Sequence, residues 1–489
     1  YMSKQEETPI YDAVRQYIEN RIVSFDVPGH KQGKGHKALI DAFGKQCVSM
    51  DLNSSKPLDN LTHPTGAIRR AEELAAEAFR AEHAFFMLNG TTAAVQNMIF
   101  YCCGKGDKII LPRNVHKSVI NAMVICGAEP VYINPGVNPE LGISLGMSVE
   151  DIRNAIRENP SAKAVFVNNP TYYGVCSNLK EIVKVAHSAG MLVIVDEAHG
   201  THFYFGEDMP LSAMDAGADI SAISVHKTGG SLTQSSMLLI GDKVDAEAMR
   251  QTINLTQTTS GSYLLMISLD IARKNLFLNG KEIFKKVSAF AEYARAEINK
   301  IGGFKAFSSE IINGDTAFAF DKTKLSIHTR AMGLAGIEVY DLLRDEFGIQ
   351  IEFGDIGNIL AIISVGDREL EIERLLGALS EIYRRFRKKP MNMLEHDYIE
   401  PILVTSPQKA FYAAKRTFPI EKCAGRVSAE LIMAYPPGIP ILAPGELITN
   451  EIIEYVRYAK EKGCAMMGTR DITMKNIEEF KNSIEKDEK

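Results

Sequence analysis

A lysine follows an apolar segment in a setting that suits covalent chemistry. Residues 219–224 predict a short strand, and His226 and Lys227 come directly after it. Open α/β sheets bind ligands at the carboxyl ends of their strands, and an amine attacks an aldehyde when its charge is held off by its neighbours. Lys227 is therefore a candidate for an imine bond to a cofactor, although this short motif alone is more typical of a solvated surface lysine.

A carboxylate lies at the end of another predicted strand. Asp196 follows the apolar run 191–195, where a charge is costly unless a cation pairs with it. A protonated pyridine nitrogen is such a cation, the small Ala198 leaves room for a ring, and His199 can support Asp196. The separation of 227 − 196 = 31 residues predicts one helix and one strand, which would return Lys227 to the same sheet edge as Asp196.

Two further strand ends carry polar groups. The turn Asn89-Gly-Thr-Thr92 opens a predicted helix, so Gly90, Thr91 and Thr92 form a candidate phosphate site, or a plain helix cap. His116 follows a strand and could stack on a flat ring, or be a structural histidine. Ser224 and His226 could reach the phosphate. Together with Lys227 and Asp196, these groups predict pyridoxal 5′-phosphate, which supplies an electron sink while the protein orients it.

The elements that must position these residues alternate between strands and helices. Such alternation predicts βαβ units and a mainly parallel sheet, and nearly unbroken apolar strands indicate that helices cover both faces. We expect an α/β fold with a large cofactor-binding domain at residues 66–275. Its seven predicted strands are 83–88, 107–111, 129–133, 162–168, 191–195, 220–224 and 237–240.

Three other regions surround that domain. Residues 1–65 hold a helix at 8–22 and irregular segments in which His30 and Asp59 are candidate site residues. Residues 276–390 predict a small α+β domain with strands at 316–320, 349–353 and 359–364, entered through two helices at 262–279 and 280–301. Residues 391–489 form a C-terminal domain.

The composition excludes several classes of protein. The chain has 489 residues, 45% hydrophobic and 24% charged, which is ordinary for a globular protein. The net charge of −6 argues against a nucleic-acid-binding surface. No apolar run is long enough to span a membrane. No signal segment is evident, so we expect a cytoplasmic protein. Seven cysteines without a CxxC pair and histidines without HExxH spacing predict no structural or catalytic metal.

Nine motifs together resemble the group III Orn/Lys/Arg decarboxylases, and they extend over nearly the whole chain. The motifs are Pro28-Gly-His-Lys31, Pro57-Leu-Asp59, Asn89-Gly-Thr-Thr92, Pro112-Arg-Asn-Val-His-Lys-Ser118, Asn169-Pro-Thr-Tyr172, Asp196-Glu-Ala-His-Gly200, Ser224-Val-His-Lys-Thr228, Gln257-Thr-Thr-Ser-Gly-Ser-Tyr263 and Tyr435-Pro-Pro-Gly-Ile-Pro440. The resemblance implies the aspartate-aminotransferase-like fold (type I) of pyridoxal-phosphate enzymes. We expect no N-terminal wing domain, and hence a homodimer or a small multiple of dimers with the site at the subunit interface.

The resemblance also implies a reaction and a substrate class. It is strongest to the bacterial biosynthetic members that act on arginine, so we expect L-arginine to give agmatine and carbon dioxide for polyamine biosynthesis. It places Glu352 near the distal cation of the substrate and Thr258 near the phosphate in the partner subunit. Asp355 is a second candidate, because carboxylates match a guanidinium in a bidentate fashion. Lysine or ornithine decarboxylation is the alternative, followed by a pyridoxal-phosphate aminotransferase or a non-catalytic regulator.

Overall fold

A computed structural model describes residues 4–391, 399–434 and 439–480 of the chain. The predicted motif at 435–440 is thus described only in its last two residues. Within the described residues, no helix is long and apolar enough to cross a membrane.

Fifteen α-helices are found in the described part of the chain. They are α1 (Pro9–Glu19), α2 (Lys37–Phe43), α3 (Lys45–Met50), α4 (Ala67–Ala78), α5 (Gly90–Cys102), α6 (Lys117–Cys126), α7 (Val149–Glu158), α8 (Leu179–Ser188), α9 (Val225–Thr228), α10 (Ala246–Asn254), α11 (Tyr263–Ile301), α12 (Gly336–Phe347), α13 (Glu369–Phe386), α14 (Pro407–Tyr412) and α15 (Asn450–Glu461).

The strands of the same residues are shorter and more numerous. They are β1 (His83–Met87), β2 (Lys108–Pro112), β3 (Glu129–Ile133), β4 (Val137–Asn138), β5 (Ile143–Ser144), β6 (Ala164–Asn168), β7 (Val175–Cys176), β8 (Leu192–Asp196), β9 (Ile220–Ile223), β10 (Ser236–Ile240), β11 (Lys305–Ala306), β12 (Ala319–Phe320), β13 (Lys324–His328), β14 (Phe353–Gly354), β15 (Asn358–Ile362), β16 (Lys415–Pro419), β17 (Ile432–Ala434), β18 (Ile439–Leu442), β19 (Met466–Met467) and β20 (Asn476–Phe480).

The largest sheet contains the seven predicted strands in the order β1-β10-β9-β8-β6-β2-β3. The pairs β2–β3, β2–β6 and β8–β9 are parallel, whereas β10 is antiparallel to both of its neighbours. The apolar side chains of β9 and β10 are fully buried, as expected for strands that are covered on both faces. The sheet is therefore mixed, with one strand reversed.

The chain divides into two compact units that are not contiguous in sequence. The first contains Tyr1–Tyr101, Ile194–Val287 and Ser364–Gly366, and the second contains Cys102–Val193, Ser288–Ile363 and Asp367–Lys489. Strand β8 begins in the second unit and ends in the first. The predicted division at residues 65, 275 and 390 follows chain order and remains a prediction.

The small sheet of the second unit has the order β11-β13-β15-β14. Sequence patterns missed β13, which begins at the buried Lys324 and therefore does not start as an apolar run. The strand predicted at 316–320 forms only as β12, which pairs with β7 in a separate two-stranded sheet. Both errors arise because the sheet partners of these short strands are remote in sequence.

The two helices predicted at 262–279 and 280–301 are one helix, α11, of 39 residues. Gly280 lies within it, and a Cβ at that position would come within 2.7 Å of Phe205. A glycine costs a helix about 1 kcal/mol relative to alanine, which is too little to end a helix that tertiary packing supports. Gly280 therefore marks a close contact with Phe205 and not a break.

The start of α4 is held by Asp59, which was predicted as a substrate-binding residue. Asp59 is 7% exposed, and its carboxylate accepts hydrogen bonds only from main-chain N–H groups in the contacts described. The donors are Asn60, Thr65, Gly66, Ile68 and Arg69, at 2.7–3.2 Å. A carboxylate at a helix N-terminus satisfies free N–H groups and opposes the helix dipole. These contacts account for the buried charge without a substrate.

We expect Asp59→Ala to lower the free energy of unfolding by about 2–3 kcal/mol, because several charge-assisted hydrogen bonds are lost together. Urea denaturation followed by circular dichroism measures the change. Asn60→Ala, next in the same turn, is the control and should cost less than half as much. Equal effects of the two substitutions would contradict the capping role.

Candidate active site

Lys227 lies in α9, directly after β9, and its amine contacts His199. The distance between Lys227 Nζ and His199 Nε2 is 3.1 Å, and His199 is buried while Lys227 is partly buried. An ammonium group can only donate, so the contact requires His199 to accept through Nε2. The amine is thus directed toward the residues that follow β8.

Asp196 is the last residue of β8, and it lies opposite Ala222 of the parallel strand β9. Burial raises the pKa of Asp196, while the charge of Lys227 and the N–H of Ala198, 3.1 Å from Oδ1, lower it. The predicted return of Asp196 and Lys227 to one sheet edge is confirmed by this pairing. The link between β8 and β9 differs from the prediction, since its helical segment is a short 3₁₀ turn at Thr201–Tyr204 in place of an α-helix.

Three hydroxyl groups meet at the start of α5. Thr91 Oγ1 is hydrogen-bonded to Ser224 Oγ and lies 2.9 Å from Ser236 Oγ. Gly90 begins the helix with φ +73°, a backbone conformation that favours glycine, and Thr92 is exposed. Helix N–H groups and hydroxyls of this kind suit a phosphate. Ser236 was not among the predicted site residues, because it belongs to an otherwise apolar strand.

His226 is oriented by the main chain. Its Nδ1 lies 2.9 Å from the carbonyl oxygen of Ser235. Because a carbonyl only accepts, Nδ1 carries the hydrogen, and Nε2 is the ring atom that can accept. His226 is partly buried, so the residue is fixed in orientation without being fully enclosed.

The first unit fits pyridoxal 5′-phosphate. An amine, a carboxylate on the adjacent strand and a hydroxyl cluster at a helix N-terminus lie at neighbouring strand ends, and each matches one functional group of the cofactor. Lys227 would bind the aldehyde carbon, Asp196 would face the ring nitrogen with Ala198 and His199 nearby, and Thr91 and Ser224 would lie by the phosphate. Among the described residues, no group of three or more His, Cys, Asp or Glu side chains is arranged to hold a metal ion.

His116 belongs to the second unit, where it caps α6. Its Nδ1 accepts from the main-chain N–H of Ser118 at 3.2 Å and lies 2.9 Å from Ser118 Oγ. The ring is partly buried. This cap sets the orientation of the imidazole, and its predicted stacking on a cofactor ring remains a prediction.

The two substrate carboxylates predicted in the second unit differ in their surroundings. Asp355 Oδ1 accepts from the N–H groups of Gly357 at 2.9 Å and Asn358 at 2.7 Å, and Oδ2 accepts from the hydroxyl of Tyr173. Burial raises the pKa of Asp355 and these hydrogen bonds lower it. Both of its oxygens are therefore engaged within the protein, whereas Glu352 is exposed.

The other predicted site residues lie in the first unit. His30 Nε2 is 2.8 Å from Asp51 Oδ2, which orients its ring. Thr258 is exposed, and its hydroxyl accepts from the N–H of Ser260 at 3.0 Å. These contacts neither require a ligand nor exclude one, so the assigned roles of His30 and Thr258 remain predictions.

Glu197, next to Asp196, is a buried residue that sequence analysis did not single out. It accepts hydrogen bonds from the hydroxyls of Tyr204 at 2.5 Å and Ser221 at 2.9 Å, and from the N–H of Ala213 at 2.7 Å. Despite these donors, burial raises the pKa of Glu197 to about 8. Its position directly after the candidate catalytic aspartate was the one available sequence signal.

Family comparisons cover almost the whole chain. A model described as "Orn/Lys/Arg decarboxylase, major domain" matches residues 8–371, and one described as "Orn/Lys/Arg decarboxylase, C-terminal domain" matches residues 391–470. These matches confirm the resemblance that the motifs indicated.

Two curated relatives are similar over nearly their full length, and a third over about three quarters of its length. The chain is 43% identical to an arginine decarboxylase of Bacillus subtilis, with 98% of each chain covered. It is 44% identical to an arginine decarboxylase of Halalkalibacterium halodurans, with 98% of this chain and 99% of the relative covered. The constitutive lysine decarboxylase of Escherichia coli is 26% identical, over 91% of this chain and 76% of the relative.

Solved structures confirm the fold. The structure of the Escherichia coli constitutive lysine decarboxylase matches with a TM-score of 0.84 at 23% identity, and covers 97% of this chain and 82% of that one. A serine palmitoyltransferase structure described with pyridoxal phosphate matches with a TM-score of 0.54 at 18% identity, and covers 72% of this chain and 85% of that one. The predicted α/β fold of type I is therefore correct.

We expect Glu197→Gln to change the pH dependence of stability. A carboxyl whose folded pKa is about 8, against an ordinary 4.5, binds a proton on folding. The stability that this proton adds to the folded state is fully present below pH 4.5. It decreases as the pH rises from 4.5 and is lost as the pH passes through about 8. The wild-type protein should lose up to about 1.4 kcal/mol of unfolding free energy per pH unit in that window.

Urea denaturation at pH 6, 7, 8 and 9 measures this slope. The Gln variant cannot ionise at this position, so its free energy of unfolding should fall less steeply with pH. At pH 9 it should be more stable relative to wild type than it is at pH 6. Glu77→Gln, at an exposed position of α4, is the control and should leave the slope unchanged. Parallel curves for wild type and Glu197→Gln would show that Glu197 is already ionised in the folded protein at pH 6.

Proposed function

Because the chain belongs to the Orn/Lys/Arg decarboxylase family, we propose that it decarboxylates L-arginine to agmatine and carbon dioxide with pyridoxal 5′-phosphate as its cofactor. The choice of arginine as the substrate rests on the 40–44% identity to four curated arginine decarboxylases over 90% or more of this chain. Lysine decarboxylases are 23–26% identical. Lysine and ornithine are the alternative substrates.

The roles of the individual residues are part of this proposal. When bound, pyridoxal 5′-phosphate supplies the electron sink for loss of the carboxylate. Lys227 holds the cofactor covalently and releases it to the incoming amine, and the carboxylate of Asp196 stabilises a protonated ring nitrogen. His116 stacks on the ring. Either Lys227 or His226 returns a proton to the substrate carbon.

The phosphate and the substrate are bound by further groups. Gly90, Thr91, Thr92 and Ser224 surround the phosphate, joined by Thr258 from the partner subunit. Glu352 binds the guanidinium, and its exposure in the single chain supports this role because the carboxylate remains available. His30 lines the substrate side. Asp59 and Asp355 are further candidate substrate ligands, and protein donors already contact both oxygens of each carboxylate.

We also propose a homodimer, or a multiple of dimers, in the cytoplasm with a role in polyamine biosynthesis. Four exposed apolar side chains of the first unit support the dimer. They are Val23, Phe25, Val27 and Phe43, with exposures of 74%, 95%, 59% and 65%. Large apolar side chains with this much exposure support a surface that a partner covers, and three of the four lie between residues 23 and 27. The seven cysteines all lie in the described residues and form no disulfide bond there, which supports a reducing compartment.

Turnover of the purified holoenzyme tests the reaction. Arginine should be the preferred substrate over lysine and ornithine by at least about tenfold in kcat/KM, measured as release of carbon dioxide. Lys227→Ala should lose the visible absorbance of bound cofactor and all turnover, because the covalent attachment is gone. Lys285→Ala, an exposed lysine of α11, is the control. A strong preference for lysine, or an unchanged spectrum in Lys227→Ala, would contradict the proposal.

Phe25→Asp tests the dimer. Light scattering after size exclusion should give the mass of two chains, or of a multiple of two, for wild type. The variant should shift toward a single chain, because a buried unpaired charge opposes association. Ile472→Asp, 90% exposed in wild type, should leave the mass unchanged. A wild-type protein that elutes as a single chain, or a variant that keeps the wild-type mass, would place the interface elsewhere or exclude it.

A further inference from the structure

Helix α6, which His116 caps, is held at both ends by the C-terminal region, defined here as residues 399–434 and 439–480. Near its start, Arg113 Nη2 donates to Glu446 Oε2 at 3.0 Å. At its end, Gln408 Nε2 donates to the carbonyl of Ile125 at 3.2 Å. All of these residues belong to the second unit. The C-terminal region therefore contacts the element that presents the candidate ring-stacking histidine.

The ion pair near the start of α6 is almost completely buried. Arg113 is 3% exposed and Glu446 is 1% exposed. Glu446 Oε2 also accepts from the N–H of Ala443 at 2.9 Å, and the guanidinium of Arg113 lies 5.3 Å from the centre of the Tyr132 ring. Burial raises the pKa of Glu446, and Arg113 opposes this shift. Buried charges are tolerated only when they are paired with good geometry, so the position of each partner is tightly constrained.

The short turn between β2 and α6 is fixed by its other contacts as well. The N–H of Arg113 donates to the carbonyl of Ile133 at 3.1 Å, and the carbonyl of Asn114 accepts from Asn168 Nδ2 at 3.0 Å. His116 follows two residues after Asn114. Glu446, 333 positions later in the chain, therefore contacts this turn through the guanidinium of Arg113.

We propose that Glu446 is a positioning residue for the cofactor site, acting through Arg113 on the turn that carries His116. The inference rests on the proposed function, since it is the contact of His116 with the cofactor that gives the turn its importance. It assigns a role to the segment that follows the Pro-Pro-Gly motif, which the catalytic roles above leave unexplained.

An ion pair that only adds stability would behave differently. Replacing a buried ion pair by well-packed apolar residues is often neutral for stability or better. A pair that serves stability alone can thus be replaced by Arg113→Met with Glu446→Leu without loss of cofactor binding. If the pair sets the geometry of the turn, the same replacement should weaken cofactor binding, because the apolar side chains lack the directional hydrogen bonds of the guanidinium.

The first measurement is made on Glu446→Gln. Hydrogen exchange of residues 111–126 in the cofactor-free protein should become faster than in wild type. The dissociation constant for pyridoxal 5′-phosphate, followed by visible absorbance, should rise about tenfold, which corresponds to about 1.4 kcal/mol. The holoenzyme saturated with cofactor should also show a shifted absorbance, because the environment of the ring is changed.

Glu479→Gln is the matched control. Glu479 pairs with Arg426 at 2.8 Å in the same region, and its side chain is 8% exposed. This substitution should lower the melting temperature without changing cofactor affinity or exchange at residues 111–126. Equal effects of the two substitutions on affinity, or wild-type affinity in Glu446→Gln, would overturn the inference.

The double variant Arg113→Met/Glu446→Leu separates positioning from stability, and it carries the test alone if Glu446→Gln does not fold. It should regain most of the melting temperature while its cofactor affinity stays reduced. Recovery of both properties would assign the pair to stability alone. Failure of the double variant to fold would show that the pair is required for folding, which also overturns a specific role in the cofactor site. Loss of this inference leaves the proposed function intact, whereas an unchanged spectrum in Lys227→Ala would remove both.

Discussion

The partly buried carboxylate of Asp196 at the end of β8 is the constraint on which the site depends. Burial raises its pKa, and in the free protein the cation that opposes this effect is Lys227. The two groups are neighbours because β8 and β9 are parallel and end at the same edge. In the proposed function, Asp196 faces the ring nitrogen and Lys227 attaches the cofactor, so a single sheet edge would supply both the charge partner and the site of covalent attachment.

The hydroxyl groups proposed to bind the phosphate are brought to the same sheet edge. Thr91 at the start of α5 meets Ser224 at the end of β9 and Ser236 at the start of β10. The reversed direction of β10 brings its first residue to the edge where β9 ends. A hydroxyl group is neutral and its hydrogen can rotate, so these groups can hydrogen-bond to one another in the free protein and donate to an anion when one binds.

Carboxylates in this protein divide into those that serve the fold and those that stay available. The oxygens of Asp59 and Asp355 are used by protein donors. Glu352, next to the buried Phe353, is exposed. From composition and spacing the three looked equivalent, because nothing in a local sequence reports which N–H groups surround a side chain. The structure thus separates the three carboxylates by their surroundings, and the predicted contact of each with a basic substrate remains a prediction.

The sequence by itself determined the family, the fold type, the cofactor and the seven strands of the main sheet, since apolar periodicity and strand-end motifs are local properties. It also predicted that Asp196 and Lys227 lie at the same end of neighbouring or nearby strands. Only the tertiary structure decided that α11 is a single helix, that Ser236 joins the hydroxyl cluster and that Arg113 pairs with Glu446. These features depend on contacts between residues far apart in the chain, where packing and the burial of charge outweigh local preference.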